Sequence, residues 1–404
     1  MNSRFLFFWR DGLELCPQDG RRVAQGVLGA AFFTTFGVSA FTFVMSLYAG
    51  EAGLSPTWLG LAFSGYFLAR LVLAPLAGYG ADVVGPMVLL LTASGLGALV
   101  PVLYFFYPFH EMLGVIQICL GFCAGIVKPV SMSLLGGCAP PEGRGRLFGA
   151  YNTSLYAALV LGPLAGGAAA NSHGGMGWPL LALPGLGMAL TFLIFLRSRS
   201  VSPAGTARGG EMGRKVSWKD PAFIALLLAV MGRTIGASVM VTFLPRLISE
   251  QFQTAGVVAG ILFALPSLVI ILGMPFTSRL ADRLDRTGLT FLGMGVCAAG
   301  LFGFGQSSQL WTIACLAMIM GGGAALSLPA SMSLVTDMGA AKGSVMGVFI
   351  GAANLGFVLG PSMAGFAAES GGGMAEAFEF TALLGGLCLL PLFLVMTKRL
   401  HVDR

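Results

Sequence analysis

Residues 129–134 read Pro-Val-Ser-Met-Ser-Leu, and residues 329–334 read Pro-Ala-Ser-Met-Ser-Leu. The same register, 200 residues apart, aligns Gly60 with Gly260 and Asp82 with Asp282. Further along the spacing becomes 198, which pairs Gly149 with Gly347, Gly162-Pro163 with Gly360-Pro361 and Gly167 with Gly365. The chain therefore reads as one unit written twice, with two residues lost from a loop. Both copies of the hexapeptide sit in long apolar stretches, so the repeated unit is a membrane unit.

Hydrophobic residues make up 56% of the 404 positions and charged residues 10%, against roughly 25% charged in soluble domains. A crossing helix needs about 20 mostly apolar residues. Twelve such stretches are expected, at 23–48, 58–80, 87–107, 112–136, 147–170, 178–196, 221–245, 256–277, 288–306, 310–335, 344–367 and 377–396. Sixty glycines suit membrane helices that pack backbone to backbone. A transmembrane barrel would need short segments of alternating polarity, which the chain lacks. The expected fold class is an all-α polytopic membrane protein with twelve transmembrane helices in two six-helix, pseudo-symmetric bundles.

The domain plan follows from the breaks: a tail at 1–22, a bundle at 23–196, a polar linker at 197–220, a second bundle at 221–397 and a tail at 398–404. Of 23 basic residues, 19 fall in the tails and in the even-numbered breaks, and only Arg246 lies on the opposite side. The positive-inside rule then places both termini in the cytoplasm, in a plasma or bacterial inner membrane. The net charge of +6 thus reflects topology and does not call for nucleic acid. Residues 1–19 carry mixed charge and read as no cleavable signal; Phe5 to Trp9 can rest on the inner leaflet. The seven cysteines fall mostly within spans, where a thiol acts as a small hydrophobe, and neither disulfides nor a metal site are expected.

Gly78-Tyr-Gly-Ala-Asp82-Val-Val-Gly85-Pro86 follows the second span, and Ser278-Arg-Leu-Ala-Asp282-Arg283-Leu-Asp285-Arg286 follows the eighth. They resemble a motif of the major facilitator superfamily that runs Gly, three residues, Asp, Arg, any, Gly, Arg. In the fifth span, Ala158, three residues, Gly162-Pro163, two residues and Gly166-Gly167 resemble the Gly-Pro motif of that family's drug and metabolite antiporters. The eleventh span repeats it around Gly356, Gly360-Pro361 and Ala364-Gly365. The resemblance covers essentially the whole chain. It implies a major facilitator fold with alternating access, in which Asp82, Asp282 and Arg283 brace the cytoplasmic gate. Gly162, Pro163, Gly360 and Pro361 would serve conformational change. Val83 and Pro86 replace basic residues of the motif, so the first half's charge network is depleted.

Three basic residues remain inside spans: Arg70, Lys128 and Arg233. At about 1.5 Å per residue, Arg70 and Arg233 lie near mid-depth and Lys128 about 12 Å from the inner end of its span. A cation at depth is costly and usually faces a wet cavity or a partner. No carboxylate is expected at mid-depth, so the field there favours anions. The resemblance places the first, fourth, seventh and tenth spans around the cavity. Helical spacing adds Gln117, three turns before Lys128, and Thr35 with Ser39 on a polar stripe of the first span. Tyr66, one turn before Arg70, together with Tyr151, Asn152 and Asn354, completes the expected substrate-binding set.

The reading is a secondary or facilitative transporter working by alternating access on a small organic anion, with Arg233 and Arg70 as clamps and Lys128 attracting the ligand. Two other readings stay open: a multidrug or metabolite efflux antiporter, and a non-transporting membrane sensor or scaffold. Catalytic residues, cofactors and metals are not expected, a monomer is, and the coupling ion is unspecified.

Overall fold

The structure is a computed structural model, and it describes residues 16, 18–107, 109–138, 141–171, 177–198, 220–254, 256–338 and 343–402. Outside them lie Phe5 to Trp9, most of the 197–220 linker and Lys342; the helix positions of Asp82 and Asp282 are described, but not their side chains.

Among the described residues the chain forms twelve long helices and no strand: α1 (Gln18–Glu51), α2 (Pro56–Val84), α3 (Pro86–Phe106, with a tight turn at Val100–Val102), α4 (His110–Cys138), α5 (Pro141–Ala170), α6 (Gly177–Ser198), α7 (Pro221–Phe252), α8 (Val257–Arg283), α9 (Arg286–Gly305), α10 (Leu310–Asp337), α11 (Gly343–Ala367) and α12 (Gly373–Val402). Each matches one expected span, and most run a few residues beyond it at one end or both. Among the described residues, ten stretches are long and apolar enough to cross a membrane. The last of these, Val345–Thr397, contains both α11 and α12, and α6 adds a shorter apolar segment at Ala182–Arg197. A wide turn at Ala368–Gly372 separates α11 from α12, where Gly371 takes φ 143°, a conformation that a side chain would oppose.

Local chemistry sets several ends. Pro56, Pro86 and Pro221 open their helices, where the missing N–H is no loss and φ is already helical. Asp220 accepts from the Ala222 N–H at 3.0 Å, and Asp285 accepts from Thr287 N–H at 3.2 Å and Gly288 N–H at 2.7 Å. These carboxylates satisfy donors that helix geometry leaves open.

The helices form two compact units. The first comprises Met1–Met45 with Ala69–Gly209, and the second comprises Ser46–Leu68 with Gly210–Arg404. In the first, α1 and α6 touch where glycines remove side chains: a Cβ on Gly187 would lie 2.9 Å from Gly37 Cα. Beside this contact, Thr34 and Thr191 hydroxyls bond across the helices at 2.9 Å. Gly162 seats α5 on α1, its missing Cβ leaving room for the Phe36 carbonyl at 2.8 Å. Ser39 Oγ donates there to the carbonyls of Phe36 and Ala158, both at 3.2 Å.

The second unit repeats the device. Gly360 seats α11 on α7, where a Cβ would lie 2.7 Å from the Ile235 carbonyl, and Ser238 Oγ donates to that carbonyl at 2.8 Å. Thus the Gly-Pro motif acts, in each copy, as a small-residue seat for a neighbouring helix. The end of α1 and the start of α2, Ser46–Leu68, also belong to this unit. Ser46 Oγ donates to the Thr242 carbonyl, and Ser64 Oγ donates to the Val358 carbonyl, both at 2.6 Å. Arg246 donates through Nε to Glu250 at 2.6 Å and through a guanidinium N–H to the Leu54 carbonyl at 2.8 Å.

Candidate functional site

Gly125 organises the basic site of the first unit. A Cβ there would lie 3.0 Å from Arg70 Cα and 3.2 Å from the Arg70 carbonyl oxygen, so only glycine lets α4 meet the α2 backbone at this depth. Lys128 follows three residues later, on the same side of α4. Arg70 is accordingly the leading charge acting on Lys128, and its field also reaches Tyr151 of α5. Both basic side chains are half-buried, and Tyr151 is 1% exposed. Among the described residues, neither Arg70 nor Lys128 makes a hydrogen bond or an ion pair. Two neighbouring cations without a counterion are costly in a low-dielectric setting, and an anionic guest would relieve that cost.

Pro129 sharpens the site. Lacking an N–H, it cannot bond the carbonyl four residues back, which is that of Gly125. In the second unit Pro329 does the same to Ala325, and there Thr277 Oγ1 donates to the Ala325 carbonyl at 2.7 Å. The residue matching Thr277 in the first copy is Ala77, which has no hydroxyl to give. The serines of the repeated hexapeptide also diverge. Ser331 Oγ donates to the Leu328 carbonyl at 3.1 Å, whereas the fully buried Ser131 hydroxyl, one turn from Lys128, has no partner. Gln117 is 0% exposed, and neither of its amide atoms has a partner. Asn152 is half-buried beside Tyr151 on α5.

Other expected residues are placed elsewhere. Tyr66 falls in the second unit, edge-on to the Phe67 ring at 5.1 Å, and Asn354 is half-buried on α11. Thr35 is half-buried on α1, while the Ser39 hydroxyl is taken up by helix packing. Arg233 of α7 interacts within the protein, and its charge acts on Cys297 of α9. Arg283 is exposed in the last turn of α8. A separate cavity of about 280 Å³ in the second unit is lined by Leu247, Glu250, Gln251, Gly372, Met374 and Ala375. Its carboxylate is committed to Arg246, and it contains none of the expected binding residues. Among the described residues no cluster of His, Cys, Asp or Glu is placed to hold a metal ion.

Sequence reasoning passed over Ser131 and Gly125 as parts of the basic site. The comparison of Ala77 with Thr277 across the repeat would have pointed to Gly125, whose carbonyl Pro129 leaves open.

Comparison with known proteins agrees with the architecture. The model of the Major Facilitator Superfamily matches residues 27–305 and 222–403. The chain is 24% identical to the multidrug resistance protein MdtG of Proteus mirabilis, over 87% of this chain and 90% of that one. It is 27% identical to a protein of Agrobacterium vitis named as a tartrate transporter, over 86% and 82% of the two chains. Its fold matches the crystal structure of a bacterial homologue of the human lysosomal transporter Spinster with a TM-score of 0.76 at 15% identity, covering 94% of this chain and 97% of that chain. Twelve helices in a repeated plan and a family match running nearly end to end converge: the chain is an integral membrane protein belonging to the Major Facilitator Superfamily, a small-molecule transporter that works by alternating access.

Proposed function

We propose that the transported molecule is a small organic anion and that Arg70 and Lys128 receive it. The observation that carries this reading is the pair itself: two cations at depth, in each other's field, with no counterion among the described residues. Arg70 supplies a planar fork for a carboxylate, and Lys128 supplies a compact charge. The relative named as a tartrate transporter is consistent with such a substrate. Gln117, with both amide atoms unpartnered, and Asn152 are the neutral groups of the same unit that would select among anions. Tyr66, Thr35, Ser39, Asn354 and Arg233 are secondary candidates, Ser39 and Arg233 being engaged within their own units. Asp82, Asp282 and Arg283 are assigned to the cytoplasmic gate.

The protein is further placed in a bacterial inner membrane with both termini cytoplasmic, acting as a monomer without catalysis. Exchange of anions or uniport fits the absence of carboxylates from the middle of the spans. A second reading, efflux of drugs or metabolites, is favoured by the Gly-Pro helices and the MdtG relative. Uptake and counterflow of labelled anions and cations in proteoliposomes separate the two. Anion transport lost in Arg70→Ala and in Lys128→Ala is expected; cation transport indifferent to both changes would overturn the anion reading.

A further inference from the structure

We infer that the Arg70 and Lys128 subsite is built for a doubly charged oxyanion, such as a dicarboxylate or a phosphate monoester, in preference to a single carboxylate. This rests on the anion reading above and adds the charge and oxygen count of the ligand. The two basic side chains belong to the helices that approach closely at Gly125, and the charge of Arg70 acts on Lys128. No acidic side chain offsets either of them among the described residues. A monoanion bound there would leave one net positive charge in a poorly solvated place, whereas a dianion would leave none.

The neutral groups point the same way. The Tyr151 ring lies in the field of Arg70, and its hydroxyl makes no hydrogen bond among the described residues. The Ser131 hydroxyl one turn from Lys128 has no partner either. A guanidinium, an ammonium and two hydroxyls make a donor-rich cradle, and a ligand that satisfies it must bring several acceptor oxygens. A single carboxylate has two; a dicarboxylate has four and a phosphate monoester has three terminal ones. The second copy of the repeat is the internal contrast. There Ile270 and Leu328 hold the positions of Arg70 and Lys128, and the Ser331 and Thr277 hydroxyls are bonded to backbone. At these matched positions, charge and open donors are thus found together in the first copy alone.

The test is binding to the purified full-length protein at about pH 7, where both acid groups of each dianion are already mostly ionised. Matched probes would be succinate against butyrate, and phenyl phosphate against methyl phenyl phosphate, followed by calorimetry. The dianion of at least one pair is expected to bind about tenfold or more tightly than its monoanion, or about 1.4 kcal/mol. Which pair discriminates tells a dicarboxylate site from a phosphate site. Arg70→Gln and Lys128→Met are each expected to erase that preference, and Arg70→Lys to keep it; the wild-type series stands alone if a variant does not fold. Equal affinities within both pairs would overturn the dianion inference and leave the anion reading intact. No binding of any of the four anions, with lipophilic cations bound instead, would overturn both.

Discussion

Replacing Gly125 by alanine tests the geometry on which the basic site depends. The new Cβ would stand 3.0 Å from Arg70 Cα, 3.2 Å from its carbonyl oxygen and 3.3 Å from Leu73 Cβ. Two of these neighbours are backbone atoms of α2 and cannot swing away as a side chain could. The best separation between carbon atoms is near 3.5–4.0 Å, so the two helices must part by a few tenths of an ångström. Overpacking of this kind costs about 1–3 kcal/mol. Against it stands the gain from alanine in a helix, up to about 1 kcal/mol. Gly149 isolates that gain, since it lies exposed on α5 in the same unit and a Cβ there would meet nothing within 4 Å. Gly149→Ala should therefore be neutral or slightly stabilising, and Gly125→Ala should lose about 1–2 kcal/mol net, a drop on the order of 2 °C in apparent melting temperature. Thermal unfolding in mild detergent, followed by a dye that reacts with the buried thiols as they open, reads both variants at one heating rate. Anion affinity should fall as well in Gly125→Ala, because Arg70 moves with α2. Equal melting temperatures for the two variants would refute the close contact of α2 with α4.

The repeat supplies further tests. Thr277→Val removes the donor to the Ala325 carbonyl and should destabilise by about 1–3 kcal/mol in denaturant titration, the cost of a buried unmet acceptor, while Ala77→Thr should stabilise or be neutral. Gly360→Ala should destabilise by about 1–3 kcal/mol for the contact with the Ile235 carbonyl, 2.7 Å from the added Cβ, read by the same melting assay. Arg246→Ala removes bonds to Glu250 and to Leu54; because Glu250 is 40% exposed, the ion pair is screened and the loss should stay near about 1 kcal/mol, with faster labelling of a cysteine placed at Leu54. Burial pushes the Cys16 thiol above its ordinary pKa, partly offset by Arg21. Its reactive thiolate is therefore scarcer than in free cysteine at pH 8, and alkylation followed by mass spectrometry should be slow there and quicken as pH rises.

Much of the fold was readable from hydropathy and repetition, because lipid forces each crossing segment to satisfy its own backbone as a helix. The span ends were set short since helices continue past the apolar core, as α7 does to Phe252. The Gly-Pro motif was recognised, and its physical work is visible at Gly162 and Gly360, where removal of a side chain admits a neighbour's carbonyl. The site was less legible. Spacing places Ser39 on a polar stripe with Thr35, but spacing does not tell whether a hydroxyl turns to a cavity or to a carbonyl one turn back; Ser39 turns to carbonyls of α1 and α5. Arg233 and Arg70 look alike in sequence as cations near mid-depth. Only three-dimensional packing separates Arg70, whose charge acts on Lys128, from Arg233, whose charge reaches Cys297 on α9. The difference between Ala77 and Thr277 was present in the repeat register, yet its meaning depends on knowing that Thr277 reaches Ala325.

The membership of Ser46–Leu68 in the second unit bears on how the chain can be divided and rebuilt. A break at 209/210 separates the long halves but strands this segment, with its bonds from Ser46, Ser64 and Arg246, on the opposite fragment. Fragments 1–209 and 210–404 made separately should each be prone to degradation, because the second would display vacant partners on α7 and α11. Co-expressed, they should find one another without a tether, the stranded segment acting as the peg that recruits the missing fragment.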